Sequence, residues 1–272
     1  MQATLLTDPG LTKHVDWITP NLSIAFISDL HLTPEQTDLG ERFDEYLSDL
    51  ALLGIQKLFI LGDLFEYWLG DDASEHLGQS DYEQMLKATA KANIAISVLH
   101  GNRDFLLGSE FSKRTGCTLI NEPFLLETQT CKVLLLHGDS LCTDDIEHQA
   151  FRNMVRTEDW QLNFLRKSIL ERDKLAQTVR YRSEYGKSTK PSDIMDVNQS
   201  AIVDEFNQTT ARVMIHGHTH RPGIHRIKLN DGDTAYRVVL GDWANAASAA
   251  VLDDNLITLF YGDCREQLIL PQ

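Results

Sequence analysis

The stretch MIHGHTHRP, Met214 to Pro222, sets three histidines at alternating positions, and four other short segments carry a matching inventory of oxygen and imidazole donors. These are SDLHL with Asp29 and His31, LGDLFE with Asp63, HGNRD with Asn102, Arg103 and Asp104, and LHGDS with His137 and Asp139. Residues two apart in an extended strand face the same side, so the spacing predicts that Asp29 pairs with His31 and His218 with His220. Nitrogen and oxygen donors without thiolate suit manganese, iron or zinc. Seven candidate ligands, Asp29, His31, Asp63, Asn102, His137, His218 and His220, exceed the needs of one tetrahedral ion and fit two ions sharing a carboxylate. Taken singly, a strand-end Asp is a turn or helix cap and a lone His is a structural residue. Their joint recurrence points to metal. His14, His76, His148 and His225 fall outside the motifs and read as structural, while His100 and His216 read as supports for the loops.

Each donor segment closes a short apolar run: LSIAFIS (22–28), KLFILG (57–62), IAISVLHG (94–101), KVLLLHG (132–138) and ARVMIHG (211–217). Runs of this length rich in Ile, Val and Phe predict buried strands. Helical patterns lie between them at 39–54 and 80–93, the second opened by a Ser80–Glu83 capping box. Alternation of strand and helix predicts a layered α/β architecture, with ligands bound at the carboxyl ends of the strands. The C-terminal segments GIHRIKL, YRVVLGDW and NLITLFYGD leave little room for helices and predict a second, mainly antiparallel sheet. Residues 147–190 break the rhythm with long polar helix-like segments and read as an inserted helical cap. The core is then 22–146 with 191–265, and 1–21 form an N-terminal extension without an assignable role.

With 272 residues and 42% hydrophobic content the chain can bury a substantial core. Its formal charge of -15 repels phosphate backbones, which argues against nucleic acid and for cations as partners. Cys117, Cys131, Cys142 and Cys264 form no CxxC pair, which fits a reduced, cytoplasmic setting. The first twenty residues lack the basic start and unbroken apolar segment of a signal peptide, and no stretch reaches the roughly 20 apolar residues of a spanning helix. From Trp160 to Lys190, however, eight basic residues face three acidic ones, interleaved with Trp160, Leu162, Phe164, Leu165, Ile169, Leu170 and Leu175. Such a segment can lie on an anionic membrane surface or cover an acylated ligand, or it can simply pack its apolar stripe on the core.

The ordered set D-x-H, G-D, G-N, a later His before Gly, and G-H-x-H resembles the calcineurin-like metallophosphoesterase superfamily, whose fold is an α/β sandwich of two sheets flanked by helices. The segments ILGDLFEYWLGDD, HGNRDFLLG, LHGDSLCTDD, IMDVNQ and HGHTHRP are similar, more narrowly, to the UDP-2,3-diacylglucosamine diphosphatase family of lipid A biosynthesis. That resemblance implies two manganese ions per chain. Asp29, His31, Asp63 and His220 would hold one and Asp63, Asn102, His137 and His218 the other. It implies hydrolysis of the pyrophosphate bond of an acylated UDP-sugar by water attack on the α-phosphorus. The products would be UMP and 2,3-diacylglucosamine 1-phosphate, with Asp63, Asn102 and Arg103 as the catalytic group. It implies substrate contacts at Asn102, Arg103, Asp145, Ser183, Lys187, Lys190 and His218, a cap that encloses the acyl chains, and peripheral attachment to the cytoplasmic face of the inner membrane.

Two departures from the family pattern bear on function. Most superfamily members read G-N-H where this chain has GNR. A leaving phosphate monoester, with a second pKa of about 6, needs little protonation. A permanently charged guanidinium that grips two phosphate oxygens therefore suits a pyrophosphate at Arg103, against the plainer reading of a salt bridge to Asp104. Lys187 stands where the family usually has Asn. Two rival expectations are a phosphoesterase for a soluble nucleotide and a metal-free binding scaffold, and the second is disfavoured by the complete ligand set.

Overall fold

The computed structural model describes residues 23–189, 194 and 196–271, and for 182–189 the backbone alone. The N-terminal extension and Lys190 lie outside the described residues, as do the side chains of Ser183 and Lys187. In the first half, β1 (Ile24–Ile27), α1 (Thr37–Leu52), β2 (Lys57–Leu61), α2 (Ser80–Lys91), β3 (Ala95–Leu99), α3 (Ser109–Thr115) and β4 (Thr118–Ile120) alternate, and neighbouring strands pair in parallel. Both faces of these strands are covered, which is why IAFI and KLFIL read as unbroken apolar runs.

The second sheet holds β5 (Phe124–Glu127), β6 (Lys132–Leu135), β7 (Val213–His216), β9 (Thr234–Val239) and β8 (Gly223–Lys228) in that spatial order, with β6, β7 and β9 parallel. Period-two alternation decides which side chains meet where. Phe26, Phe59, Leu61, Leu135, Val213, Ile215 and Val238 fill the space between the sheets. Ala25, Ile27, Leu58 and Ile60 point the other way, onto Phe43 and Leu47 of α1, Leu86 of α2 and Phe111 of α3. On the far side, Leu134 and Met214 pack against Ile202 and Phe206 of α7 (Gln199–Thr209). The result is a helix–sheet–sheet–helix sandwich, a layered α/β architecture as the alternation predicts and of the two-sheet form that the resemblance implies.

The C-terminal expectation needs correction. The late strands do not form one separate antiparallel sheet: β8 and β9 complete the second sheet. Strands β10 (Ser248–Asp253), β11 (Leu256–Tyr261) and β12 (Cys264–Ile269) extend the first sheet antiparallel from β1. Strand patterning reports burial and not partnership, so it cannot say which sheet a strand joins. The expected capping box is also absent. Gln79 stands at the cap of α2 without a side-chain bond, and the Glu83 carboxylate is held instead by Arg114 at 2.7 and 2.8 Å and by Ser74 at 3.0 Å. A partly buried bidentate guanidinium pair outcompetes a terminal amide for the same oxygens.

Between the halves lie α4 (Ile146–Val155), α5 (Glu158–Leu165) and α6 (Ile169–Thr189), with no strand among them. Phe164 is buried, Trp160 stacks on it with centroids 4.9 Å apart, and Trp160 also meets Phe105 of the core. Arg172 of α6 is buried at 2% exposure, bonding Leu69 O at 2.5 Å and Asp72 Oδ1 at 2.8 Å. The apolar residues of this region thus divide: Trp160, Phe164 and Ile169 pack on the core, while Leu162, Leu165, Leu170 and Leu175 stay exposed.

Candidate metal centre

The carboxyl ends of β1, β2, β3, β6 and β7 deliver their loops to one edge of the sandwich. The first two loops run side by side, with Asp29 N–H donating to Gly62 O at 3.1 Å and His31 N–H to Asp63 O at 3.0 Å. Here the strand-alternation argument for Asp29 with His31 and for His218 with His220 is overturned. The strands have already ended, and Asp29, His31, Asp63, His218 and His220 all adopt left-handed backbone angles, with φ from 51 to 64°. The pairs do converge, but through tight turns that non-glycine residues enter only at a cost and that cluster at functional sites.

All seven candidate ligands come together. Asp29 Oδ2 accepts bonds from Ser28 Oγ at 2.6 Å and His218 N–H at 2.8 Å. Asp29 Oδ1 faces His220 Nε2 at 3.3 Å yet has no aligned hydrogen-bond partner, although the residue is fully buried. Asn102 Oδ1 lies 3.0 Å from His137 Nε2 and 2.9 Å from His218 Nδ1. Between these two groups stands Asp63, its Oδ2 3.6 Å from His137 Nε2 and 3.9 Å from His31 Nε2. Donor atoms of Asp29, His31 and His220 all lie within 4.8 Å of one another, as do those of Asp29, Asp63 and His137. Asp29 therefore borders both groups, a closeness that the assignment to one ion did not anticipate.

The electrostatics suit cations. Burial alone would lower the pKa of His137, but Asp63, Asp29, Asp139 and Glu122 raise it to about 9. Burial would likewise lower His220, yet Asp242 and Asp29 raise it to about 10. Asp29 is held well below the usual carboxylate range despite its burial, by His220, His137 and His31. The carboxylates thus draw protons onto buried His137 and half-buried His220, while burial and His137 hold His218 well below the usual imidazole range, so the carboxylates of the centre demand positive charge. The unsatisfied Asp29 oxygen and the soft-free donor set fit divalent ions at this place.

Residues outside the motifs complete the arrangement. His31 Nδ1 lies 3.1 Å from Glu66 Oε2, His220 Nδ1 3.1 Å from Asp242 Oδ2, and His137 Nδ1 2.9 Å from Leu61 O. Partners of this kind fix the tautomer and aim the other nitrogen inward. Glu66 and Asp242 escaped sequence reading, although each sits inside a quoted segment, LGDLFE and YRVVLGDW, because carboxylate spacing carries no signal of the histidine it will meet. His148, read as structural, lies beside His218 with its ring tilted by 32° and centroids 5.5 Å apart. His100 and His216 do serve the loops, bonding Leu107 O and Gly217 O, each at 2.8 Å.

Arg103 does not bridge Asp104. The Asp104 carboxylate is buried and accepts backbone N–H bonds from Asp63, Leu64 and Gly101. Arg103 Nη1 instead stands 3.6 Å from Glu66 Oε1, which Arg180 of α6 approaches at 3.1 Å. Asp145 caps α4, accepting from His148 N–H at 3.1 Å.

Residues 22–222 match the family described as calcineurin-like phosphoesterases. A UDP-2,3-diacylglucosamine hydrolase of Photorhabdus laumondii is 42% identical over 234 residues, covering 86% of this chain and 96% of that one. The enzyme of the same name from Escherichia coli O81 is 41% identical over 230 residues, covering 84% and 93%. Among solved structures, a dimetal phosphatase from Danio rerio shares the fold, with a TM-score of 0.51 at 13% identity over 93% of this chain and all of that one. The chain belongs to the calcineurin-like phosphoesterases. Within that family it groups with the UDP-2,3-diacylglucosamine hydrolases.

Proposed function

We propose that this chain hydrolyses the pyrophosphate bond of UDP-2,3-diacylglucosamine, yielding UMP and 2,3-diacylglucosamine 1-phosphate, with two manganese ions as cofactors. The observation that carries the reading is the convergence of Asp29, His31 and His220 and of Asp29, Asp63 and His137 at one edge, with Asn102 between His137 and His218, in a chain whose relatives of that name match nearly end to end. Asp29, His31, Asp63 and His220 would hold one ion, and Asp63, Asn102, His137 and His218 the other. When bound, such a pair supplies Lewis acidity and water activation for in-line displacement at phosphorus. Asn102 and Arg103 add charge stabilisation to the transferred phosphoryl group. Arg103, whose Nη1 stands 3.6 Å from Glu66 Oε1, is the guanidinium offered to a diphosphate oxygen.

Supporting a lipid-bearing substrate, α5 and α6 hold exposed Leu162, Leu165, Leu170, Leu175 and Val179 close to Arg166, Lys167 and Lys174. In this reading the segment 147–190 caps the acyl chains on the core formed by 22–146 and 191–265. Asp145, Ser183, Lys187 and Lys190 contact the sugar phosphate, and the chain rests on the cytoplasmic face of the inner membrane. Among the described residues no helix is long and apolar enough to cross a membrane.

The test is cleavage of UDP-diacylglucosamine with and without manganese, repeated for Asp63→Ala. Activity should require the metal and fall by orders of magnitude in the variant, whose bound manganese is also lost. Equal turnover of water-soluble UDP-sugars would instead mark a soluble-nucleotide enzyme. In heavy-oxygen water the label should enter UMP, and Arg103→Ala should retain metal while losing turnover.

A further inference from the structure

One face of α4 touches the loops of the second ion's ligands. His148 and Arg152 on that helix, and Arg156 at its C-cap, recur at four-residue intervals and so form one stripe. Arg156 Nη2 donates to Gly101 O at 2.9 Å, on the residue before Asn102. Arg152 reaches two buried or half-buried acids, Asp139 Oδ2 at 2.9 Å and Glu122 Oε1 at 2.6 Å. Glu122 in turn accepts the N–H of His137 at 2.9 Å through its other oxygen. Gln149, beside the stripe, donates to Asp139 O at 2.8 Å and Cys142 O at 3.0 Å. His148 completes the set by lying against His218.

Each ligand proposed to serve only the second ion is thereby reached from α4: Asn102 through Arg156, His137 through Arg152 and Glu122, and His218 through His148. The first ion's histidines lean elsewhere, His31 on Glu66 and His220 on Asp242. From this division of contacts we infer that α4 is a strut that sets the affinity of the second metal position alone, with Arg152 and Arg156 as positioning residues. The inference rests on the two-ion reading above.

A guanidinium is well suited to the task. It stays charged at every accessible pH and offers several donors in a fixed fork, so one side chain locks two loops at once. Removing an outer partner of a metal ligand typically costs 10–100-fold in affinity, and here that loss falls on one position of the pair.

The experiment is a manganese titration read by the electron paramagnetic resonance of the free ion, which counts bound metal without reference to turnover. The wild-type chain should take up two ions. Arg156→Gln and the charge-conserving Arg152→Lys should keep one ion at near wild-type affinity and bind the other roughly 10–100-fold more weakly. Turnover should recover at high manganese concentration. Glu66→Gln provides the mirror case, weakening the ion on the His31 side. Thermal melting in chelator verifies that each variant folds, and Arg152→Lys retains the positive charge that Asp139 and Glu122 pair with. Equal weakening of both ions, or two ions bound as in the wild type, overturns the strut. A wild-type chain that binds fewer than two ions overturns the two-ion reading itself, and the two failures are thus told apart.

Discussion

Gly101 and Gly217 show how little space the centre leaves. A Cβ on Gly101 would overlap Asp63 Oδ1, and one on Gly217 would overlap Asp29 Oδ2. The glycines that follow His100 and His216 are therefore there for clearance of a carboxylate, whereas Gly138 clears the His216 ring. Gly101→Ala should displace Asp63 and lower turnover by about 10²-fold, the scale of loss that accompanies a misplacement of order 1 Å. Steady-state kinetics at saturating manganese checks this, and unchanged turnover would contradict it. Asp242→Asn should weaken manganese binding by roughly 10–100-fold, because the amide no longer draws the His220 Nδ1 proton as the carboxylate does. The candidate ligands were legible in the sequence, since residue types at strand ends suffice to nominate them. Their mode of convergence was not: left-handed turns at Asp29, His31, Asp63, His218 and His220 leave no spacing signature, so the strand argument reached the right pairs through the wrong geometry.

At the scale of elements, Arg172 is the fully buried side chain among the described residues of α6 and, beside Ile169 and Ala176, ties that helix to the core. Arg172→Met would leave Leu69 O without its donor, while Asp72, mostly exposed, regains water. The expected cost is about 1–3 kcal/mol, borne by α5 and α6 in place of the sandwich. Hydrogen exchange should accelerate in α6 and stay slow in β1, β2 and β3; uniform acceleration would place Arg172 in the global core instead. Helices α1 and α2 and strands β1, β2, β3, β6 and β7 were readable because buried strands and amphipathic helices have distinct periods, whereas the short α3 and β4 and the later α7 were not read. The partition of β8 to β12 between two sheets was not, because pairing is decided by chain connections and shape that no local period encodes. Nor could the pattern say which apolar residues of α5 and α6 pack inward, since Phe164 and Leu165 differ only in where the backbone turns them.

For the molecule as a whole, metal bound only by the folded form adds to stability by mass action. At a free manganese concentration one hundred times the dissociation constant, the gain is about 2.7 kcal/mol for one site. A domain of this size should then melt roughly 5–10 °C higher with manganese than in chelator. Asp63→Ala should abolish the difference, and a wild-type melt indifferent to metal would speak against two occupied sites. The bond from His218 N–H to the Asp29 carboxylate joins positions 189 residues apart, and it links the loop of β1 to that of β7. A chain leaving the ribosome displays Asp29 and Asp63 long before His218 and His220 emerge. Until both sheets have closed on each other, the nascent protein cannot assemble the complete set of donors, so its hydrolytic power waits on the emergence of the second sheet.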